Sequence, residues 1–464
     1  MYSLLLRTLI LYPVAYSQFS IVCTNQLITR LFAYRTTCNH SNKTSSDPPS
    51  AGRGTHTNHR PRPHAPRSMS QHAAGIAIMD HAGISQRRQP VLRRTRFVCV
   101  SDTHNTAVKL PKGDVLIHAG DLTNQGSYPE LSRAVQWLEK ADFESKIVIA
   151  GNHDLTLDST FYAEHGGHFH NQTPQSPDDC IALFTSSPTI TYLKHESTTI
   201  RLSSPSGPHT SFSIFGSPYS PRNGLWAFGY DAPQHSSSLG AAADLPTLWD
   251  DVPLDADIVV THTPPRTHCD ESRARRAAGC EALRRALWRV RPRLAVCGHV
   301  HEGRGAQRVR WDVECGNIAF KEEGTEEWLD PGQGNKQSLV NLTAKGGNPL
   351  RNDGSHPKPQ QPETADTTAS IPSTSDRTIS GSAAEPGLGT RGLGRDPTSP
   401  RSDTAALAGR RGRRETCVVN CAIMAKSYPH VGGKTINKPI VVDLDLPVWE
   451  WTRDGMPQFV YAEG

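Results

Sequence analysis

The chain carries five short apolar runs of strand type, at 97–100 (FVCV), 115–118 (VLIH), 147–150 (IVIA), 257–260 (DIVV) and 294–297 (LAVC). β-rich runs of this length, bounded by turn residues, read as buried strands. Each ends in a polar cluster: Asp102 with His104, then Asp121, then Asn152 with His153 and Asp154, then His262, then His299 with His301. Gly120 and Gly151 precede two of the clusters and let the backbone turn sharply there. Between the second and third runs, 129–142 (PELSRAVQWLEKAD) has a helical period. Leu131, Ala134, Leu138 and Ala141 share one face, and Pro129 suits a first turn. A strand, helix and strand in this order predict a right-handed parallel crossover. In open α/β sheets, sites form beyond the carboxyl ends of the strands, so the clusters are expected to converge at one rim. Along an extended chain, residues two apart face the same side, which predicts that Asp102 and His104 reach one point and that His299 and His301 do likewise.

The remaining pattern is weaker. Residues 155–212 read as loop-rich, with faint strand signals at 190–193 and 199–202. A strand at 211–215 leads into GSPYSPRNGLWAFGY, where Trp226 and Phe228 read as packing on the core. Arg222 and Asn223 in that loop are candidates to meet a phosphate oxygen, because rim loops often carry function. The segment GCEALRRALWRVRP predicts a helix that Pro292 stops, with Leu283, Leu287 and Val290 inward. Its Arg284, Arg285, Arg289 and Arg291 are expected to face solvent.

Composition bounds the domain count. The 464 residues allow two or three domains by length, yet two long stretches cannot build a core. Four regions result: an N-terminal disordered or targeting region (1–95), a folded domain (96–330), a disordered low-complexity insertion (331–413) and C-terminal strands (414–464) that return to the sheet. The last of these carries apolar runs at 417–425 and 438–447, and its Asn420 reads as structural. Residues 1–23 are apolar but broken by Arg7 and Pro13, so no stable membrane span is expected. The Arg- and Ser-rich stretch through Arg96 fits a mitochondrial presequence; a signal peptide or anchor and a later start at Met69 or Met79 are the rivals. The net charge of +5 sits in tails and local Arg runs, which gives no nucleic-acid footprint. The ten cysteines form no C-x-x-C pair, which suits a reducing, cytoplasmic setting.

Together, Asp102, His104, Asp121, Asn152, His262, His299 and His301 offer seven nitrogen and oxygen ligands without a thiolate. That set is too large for one zinc ion and suits two divalent ions, Mn, Fe or Zn, sharing a bridging carboxylate. Two such ions are the standard arrangement for hydrolysing phosphate esters through an activated bridging water. His153 is left over from the ligand count and is the natural general acid, with Asp154 available to orient it.

The ordered motifs DTH, GD, GNHD, TH and GHVH resemble the calcineurin-like metallophosphoesterase superfamily over about residues 96–320. The resemblance implies an α/β sandwich of two mixed β-sheets flanked by helices. It implies that Asp102, His104, Asp121 and His301 hold one metal, that Asp121, Asn152, His262 and His299 hold the other, and that His153 is catalytic. KIVIAGNHDLTLD, GSPYSPRNGLWAFGY, THTPPRTHCD and RPRLAVCGHVHEGRGA are similar to the animal metallophosphoesterase-domain-containing proteins. That narrower resemblance implies hydrolysis of phosphodiesters such as cyclic nucleotides, and so a small-molecule, nucleotide-like substrate. Some of those relatives carry Gly for the first His of GHxH and are weak enzymes, whereas this chain keeps His299. A phosphomonoesterase, a metal-bound scaffold with little turnover and a nucleic-acid processing enzyme stay open as alternatives.

Overall fold

The computed structural model describes residues 89–231, 247–272, 277–312, 322–330, 338–352, 412–426 and 433–462. Of the region 1–95 expected to be disordered or a targeting segment, residues 1–88 lie outside the described residues, as does the stretch 353–411; residues 92–95 instead belong to the first strand. Strands β1 (Leu92–Val100) and β2 (Val115–Ala119), helix α1 (Tyr128–Glu139) and strand β3 (Ser145–Ile149) open the fold. Helices α2 (Ser159–Phe169) and α3 (Pro177–Thr185) lead to β4 (Ile190–Tyr192), β5 (Glu196–Arg201) and β6 (Ser211–Ser217). The short strands β7 (Ser220–Pro221) and β8 (Gly229–Tyr230) pair across the aromatic loop. Next come β9 (Ile258–Thr261), α4 (Glu281–Val290), β10 (Leu294–Cys297), β11 (Gly305–Trp311), β12 (Glu322–Glu327) and β13 (Ser338–Leu342). Strands β14 (Glu415–Asn420) and β15 (Ile440–Pro447) and the pair β16 (Trp449–Trp451) and β17 (Pro457–Phe459) complete the chain.

Two mixed sheets form a sandwich. One runs β13-β15-β1-β2-β3-β4 and the other β12-β11-β14-β10-β9-β6-β5. The period-two pattern of β1 shows why they stack. Phe97 and Cys99 point into the cluster between the sheets with Ile117, Ile147, Ile214, Ile258, Val296 and Val442. Val98 and Val100 point the other way, onto α1 and α3 through Leu131, Leu138 and Phe184. On the far side of the second sheet, α4 buries Leu283, Leu287 and Val290 against Trp249 and Trp311. Strands β2 and β3 are parallel, with α1 between them in sequence. Their carboxyl ends, with those of β1, β9 and β10, carry all the polar clusters.

Local chemistry sets the helix bounds. The Glu130 carboxylate reaches back to the Ser127 N–H at 2.9 Å and to its hydroxyl at 2.8 Å, which starts α1 one turn before its apolar face. That face is Leu131, Val135 and Leu138, rotated from the predicted one; Ala134 and Ala141 are only partly buried.

The structure corrects the sequence reading at several points. The loop-rich region 155–212 contains α2 and α3. Helix α2 holds two glycines and two histidines, so its apolar period is faint, and α3 has only nine residues. Arg289 and Arg291 are buried instead of solvated. The Arg289 guanidinium donates to the carbonyls of Val252 at 2.7 Å, Asp250 at 3.2 Å and Trp249 at 3.3 Å. Arg291 caps α4 in left-handed backbone, φ 49°, and donates to the Trp288 carbonyl at 2.9 Å. In both cases a charged head is accommodated by helix-end and turn carbonyls. Ser338–Leu342, inside the stretch expected to be an unpacked insertion, is a strand paired in parallel with β15. Its SLVNL pattern alternates, burying Ser338, Val340 and Leu342, and composition averaged over a long window hides five such residues. Among the described residues no helix is long and apolar enough to cross a membrane.

Candidate metal centre

Two groups of ligand atoms stand at the strand ends. Asp102, His104 and His301 offer atoms within 4.8 Å of one another, and so do Asp121, His262 and His299. The Oδ2 atom of Asp121 joins the groups. His104 Nε2 lies 3.6 Å from it and His262 Nε2 lies 3.4 Å from it. His301 Nε2 is 3.3 Å from Asp102 Oδ1, and Asn152 Oδ1 is 3.0 Å from His262 Nε2. The structure divides His299 and His301 between the two groups, against the same-side expectation.

Backbone geometry explains that division. Asp102, His104, Asp121 and His299 have φ of 52°, 42°, 54° and 67°, in the left-handed region that side chains rarely occupy. The chain therefore coils past each strand end, and extended-strand alternation does not hold there. Gly151 and Gly298 make the close approach feasible. A Cβ on Gly151 would overlap the Asp121 carboxylate, and one on Gly298 would overlap that of Asp102.

The hydrogen bonds around the histidines test whether a metal fits. His104 Nδ1 lies 3.1 Å from the Thr123 carbonyl, and His262 Nδ1 lies 2.9 Å from the Ala119 carbonyl. A carbonyl only accepts, so each Nδ1 carries a proton, and in the neutral imidazole, the form that binds a metal, each Nε2 presents a lone pair. Those lone pairs face Asp121 Oδ2 and, for His262, Asn152 Oδ1, which are acceptors too. Acceptors that face one another in a buried space call for a cation between them. Divalent metal ions fit this donor set.

Charge follows the same logic. Burial pushes the His104 and His299 imidazoles down to about 4, so both are neutral, as ligands must be. Burial also pulls on His262 and His301, but the neighbouring Asp121 and Asp102 outweigh it and lift each to about 9. Burial opposes the charge on Asp102, yet its hydrogen bond with His301 and that residue's charge bring it to about 2. A strongly paired, buried acid and base cluster of this kind marks a functional site.

His153 stands beside the groups without joining them. Its N–H donates to Asp121 Oδ1 at 2.8 Å, and its Nδ1 meets the Asn124 carbonyl at 2.9 Å. Asp154 does not orient it. The buried Asp154 carboxylate accepts from the N–H groups of Gly151 (2.9 Å), Leu122 (3.2 Å) and Thr123 (3.0 Å) and from the Thr123 hydroxyl (2.7 Å). All its capacity goes into joining the loop of Asp121 to the loop of Asn152. Burial, then the Asp121 charge, raise its pKa to about 6.

A cavity of about 1040 Å³ opens over the groups, lined among others by His104, Asp121, His153, Arg222, Trp226 and Lys434. Asn223 also lines it. Arg222 is held at its edge by Asp231 at 2.8 Å and the Gly229 carbonyl at 2.9 Å. Trp226, read from sequence as core packing, stacks on His153 with ring centroids 4.0 Å apart. Lys434 and the Asn124 carbonyl also escaped the sequence reading. A lone exposed lysine and a main-chain oxygen leave no pattern in sequence. Asn420 is buried and donates to the carbonyls of Val300 at 2.8 Å and Cys269 at 2.9 Å, which steadies the turn of His299 and His301.

The model of the calcineurin-like phosphoesterase family matches residues 95–303. A protein of Emericella nidulans named probable rhamnogalacturonate lyase C is 40% identical over 220 residues, which are 47% of this chain and 18% of that protein. Human metallophosphoesterase domain-containing protein 1 is 36% identical over 222 residues, 46% of this chain and 62% of that protein. The chain thus spans less than two thirds of either relative. UPF0046 protein K07C11.7 of Caenorhabditis elegans is 33% identical over 228 residues, 48% of this chain and 68% of that protein. With the family model lying over the very segment that supplies both ligand groups, the chain belongs to the calcineurin-like phosphoesterase family.

Proposed function

We propose that the protein hydrolyses phosphodiesters, with cyclic nucleotides as the leading class, at a centre of two divalent metal ions. One observation carries the two-ion reading: Asp121 Oδ2 faces His104 Nε2 from one ligand group and His262 Nε2 from the other. Asp102, His104, Asp121 and His301 would hold one ion, and Asp121, Asn152, His262 and His299 the second. When bound, the ions, Mn, Fe or Zn, supply Lewis acidity toward the phosphoryl oxygens and an activated water nucleophile.

The side chains do the rest. Asp121 Oδ1 is occupied by the His153 N–H, which leaves Oδ2 for ligation. His153, tethered at Nδ1 to Asn124, presents Nε2 to the cavity and donates a proton to the leaving oxygen. Arg222 and Asn223 on the rim meet a phosphoryl oxygen of the substrate. The diester preference rests on the similarity to the metallophosphoesterase-domain proteins and on size. A cavity of about 1040 Å³ has room for a phosphate with two ester substituents.

The test is hydrolysis of bis-p-nitrophenyl phosphate beside p-nitrophenyl phosphate by the full chain with Mn²⁺, with His153→Ala in parallel. Turnover of the diester that falls in the variant supports the proposal. Faster turnover of the monoester makes the protein a phosphatase. Two bound metals with no turnover of either substrate makes it a metal-bound scaffold.

A further inference from the structure

We propose that Trp226 is a positioning residue that fixes the His153 imidazole for proton delivery to the leaving group. This rests on the reading of His153 as general acid. The two rings lie 4.0 Å apart at 35°, a near-stacked contact. His104 meets the same imidazole edge-on, with centroids 4.9 Å apart at 88°. The Asn124 carbonyl takes its Nδ1 at 2.9 Å. A ring held on a face, by an edge contact and at Nδ1 has Nε2 left for substrate.

The tryptophan is itself held from the same loops. The N–H of Ala227 donates to the Asn152 carbonyl at 3.2 Å, and that of Phe228 donates to Asp158 Oδ2 at 2.8 Å. The two residues after Trp226 are therefore fixed to the Asn152 backbone, just before His153, and to the Asp158 side chain, five residues after it. Phe169, at the end of α2, packs on the indole with centroids 5.7 Å apart. Gly224, with φ 76°, makes the turn that brings the indole round. Trp226 packs against the core cluster of α1 and α3 with part of its indole. Trp226 is half-buried and lines the cavity beside His153.

The chemistry explains what this placement does. In hydrolysis the water oxygen forms the new P–O bond while the bond to the leaving oxygen breaks. The proton on His153 Nε2 passes to that oxygen, and a proton from the attacking water is later returned to the imidazole or to solvent. Proton transfer needs the nitrogen within hydrogen-bond reach of the leaving oxygen, and a ring free to rotate leaves that geometry for much of the time. The benefit grows as the leaving group becomes more basic.

The test compares Trp226→Leu, Trp226→Met and Trp226→Phe with the unaltered full chain in Mn²⁺. Two diesters serve as substrates: bis-p-nitrophenyl phosphate, with a good leaving group, and diphenyl phosphate, with a poor one. For Trp226→Leu, kcat on diphenyl phosphate is expected to fall about 10- to 100-fold, with at most about a 3-fold fall on the nitrophenyl diester and little change in KM. Trp226→Phe keeps most of the activity and Trp226→Met falls between, so the series is graded even if one variant does not fold. His153→Ala shows the same leaving-group dependence more strongly, and adding Trp226→Leu to it changes nothing further. Equal losses on both substrates, a flat series or a further loss in the His153→Ala background would overturn the proposal. If His153→Ala itself shows no leaving-group dependence, the general-acid reading fails and this inference falls with it. If only the Trp226 series lacks that dependence, this inference alone fails.

Discussion

Asp154 accepts two hydrogen bonds from Thr123, one from the main-chain N–H at 3.0 Å and one from the hydroxyl at 2.7 Å. With its bonds from Leu122 and Gly151, this carboxylate joins the loop of Asp121 to the loop of Asn152 from beneath. Asp154→Asn turns an amide NH₂ toward N–H donors. The expected loss is about 2–4 kcal/mol of stability, since each buried donor left unmatched costs about 1–3 kcal/mol. Urea unfolding of the metal-free protein measures it. Activity of this variant recovers with added Mn²⁺, whereas that of His153→Ala does not; failure of the metal to rescue would return Asp154 to a catalytic role.

Asp121 is the ligand common to both groups, so Asp121→Asn is expected to lose both metal ions or retain one weakly. Asp102→Asn should lose the ion of its own group and keep the other. Metal content by plasma mass spectrometry after gel filtration decides between them. Equal metal loss in the two variants would remove the bridging role from Asp121.

Metal binding should release protons. In the metal-free protein His262 and His301 are raised to about 9, so near neutral pH each holds a proton that an ion must displace. Calorimetry in buffers of different ionisation enthalpy should find protons released and an affinity that climbs with pH. The sign for stability follows from the raised values. The two His–Asp pairs stabilise the metal-free fold fully below about 6.5, the unfolded value, and lose that contribution as pH rises through about 9. A metal-free melting temperature that does not fall between pH 7 and 9 would contradict this assignment.

Asn420→Ala removes donors from the carbonyls of Val300 and Cys269 and an acceptor, at 3.1 Å, from the Ala422 N–H. All are buried, and a loss of about 1–3 kcal/mol is expected. Because the turn above carries His299 and His301, metal affinity should weaken in the same variant. A stable protein with unchanged affinity would make Asn420 dispensable.

Much of this was legible in the sequence because each strand end announces itself twice, by an apolar run and by the ligands after it. Cys99 beside Val98 shows the alternation that fills two cores. The way the ligands meet was not legible. Asp102 and His104 come together through left-handed backbone, a conformation no residue type there advertises. Asp154 was misread because a carboxylate beside a catalytic histidine usually serves it, whereas here three N–H groups and a hydroxyl claim it first. Arg289 and Arg291 were misread because helical period assigns a face without knowing which turn packs on it. Trp226 packs on the core as read; its second contact, on His153, was not legible because it depends on the Ala227 and Phe228 hydrogen bonds, which join residues more than 60 positions apart.

Both sheets take an interior strand from late in the chain: β14 lies between β11 and β10, and β15 lies between β13 and β1. Phe97 cannot find Val442 across the β1–β15 ladder until about 345 further residues have been made. A nascent chain therefore holds most of its candidate metal ligands on half-built sheets with apolar inner faces bare. Sequence-distant pairings of this kind slow folding and leave the growing chain prone to aggregation. Premature termination anywhere before β15 should yield no partially active fragment, only chain for the quality-control machinery.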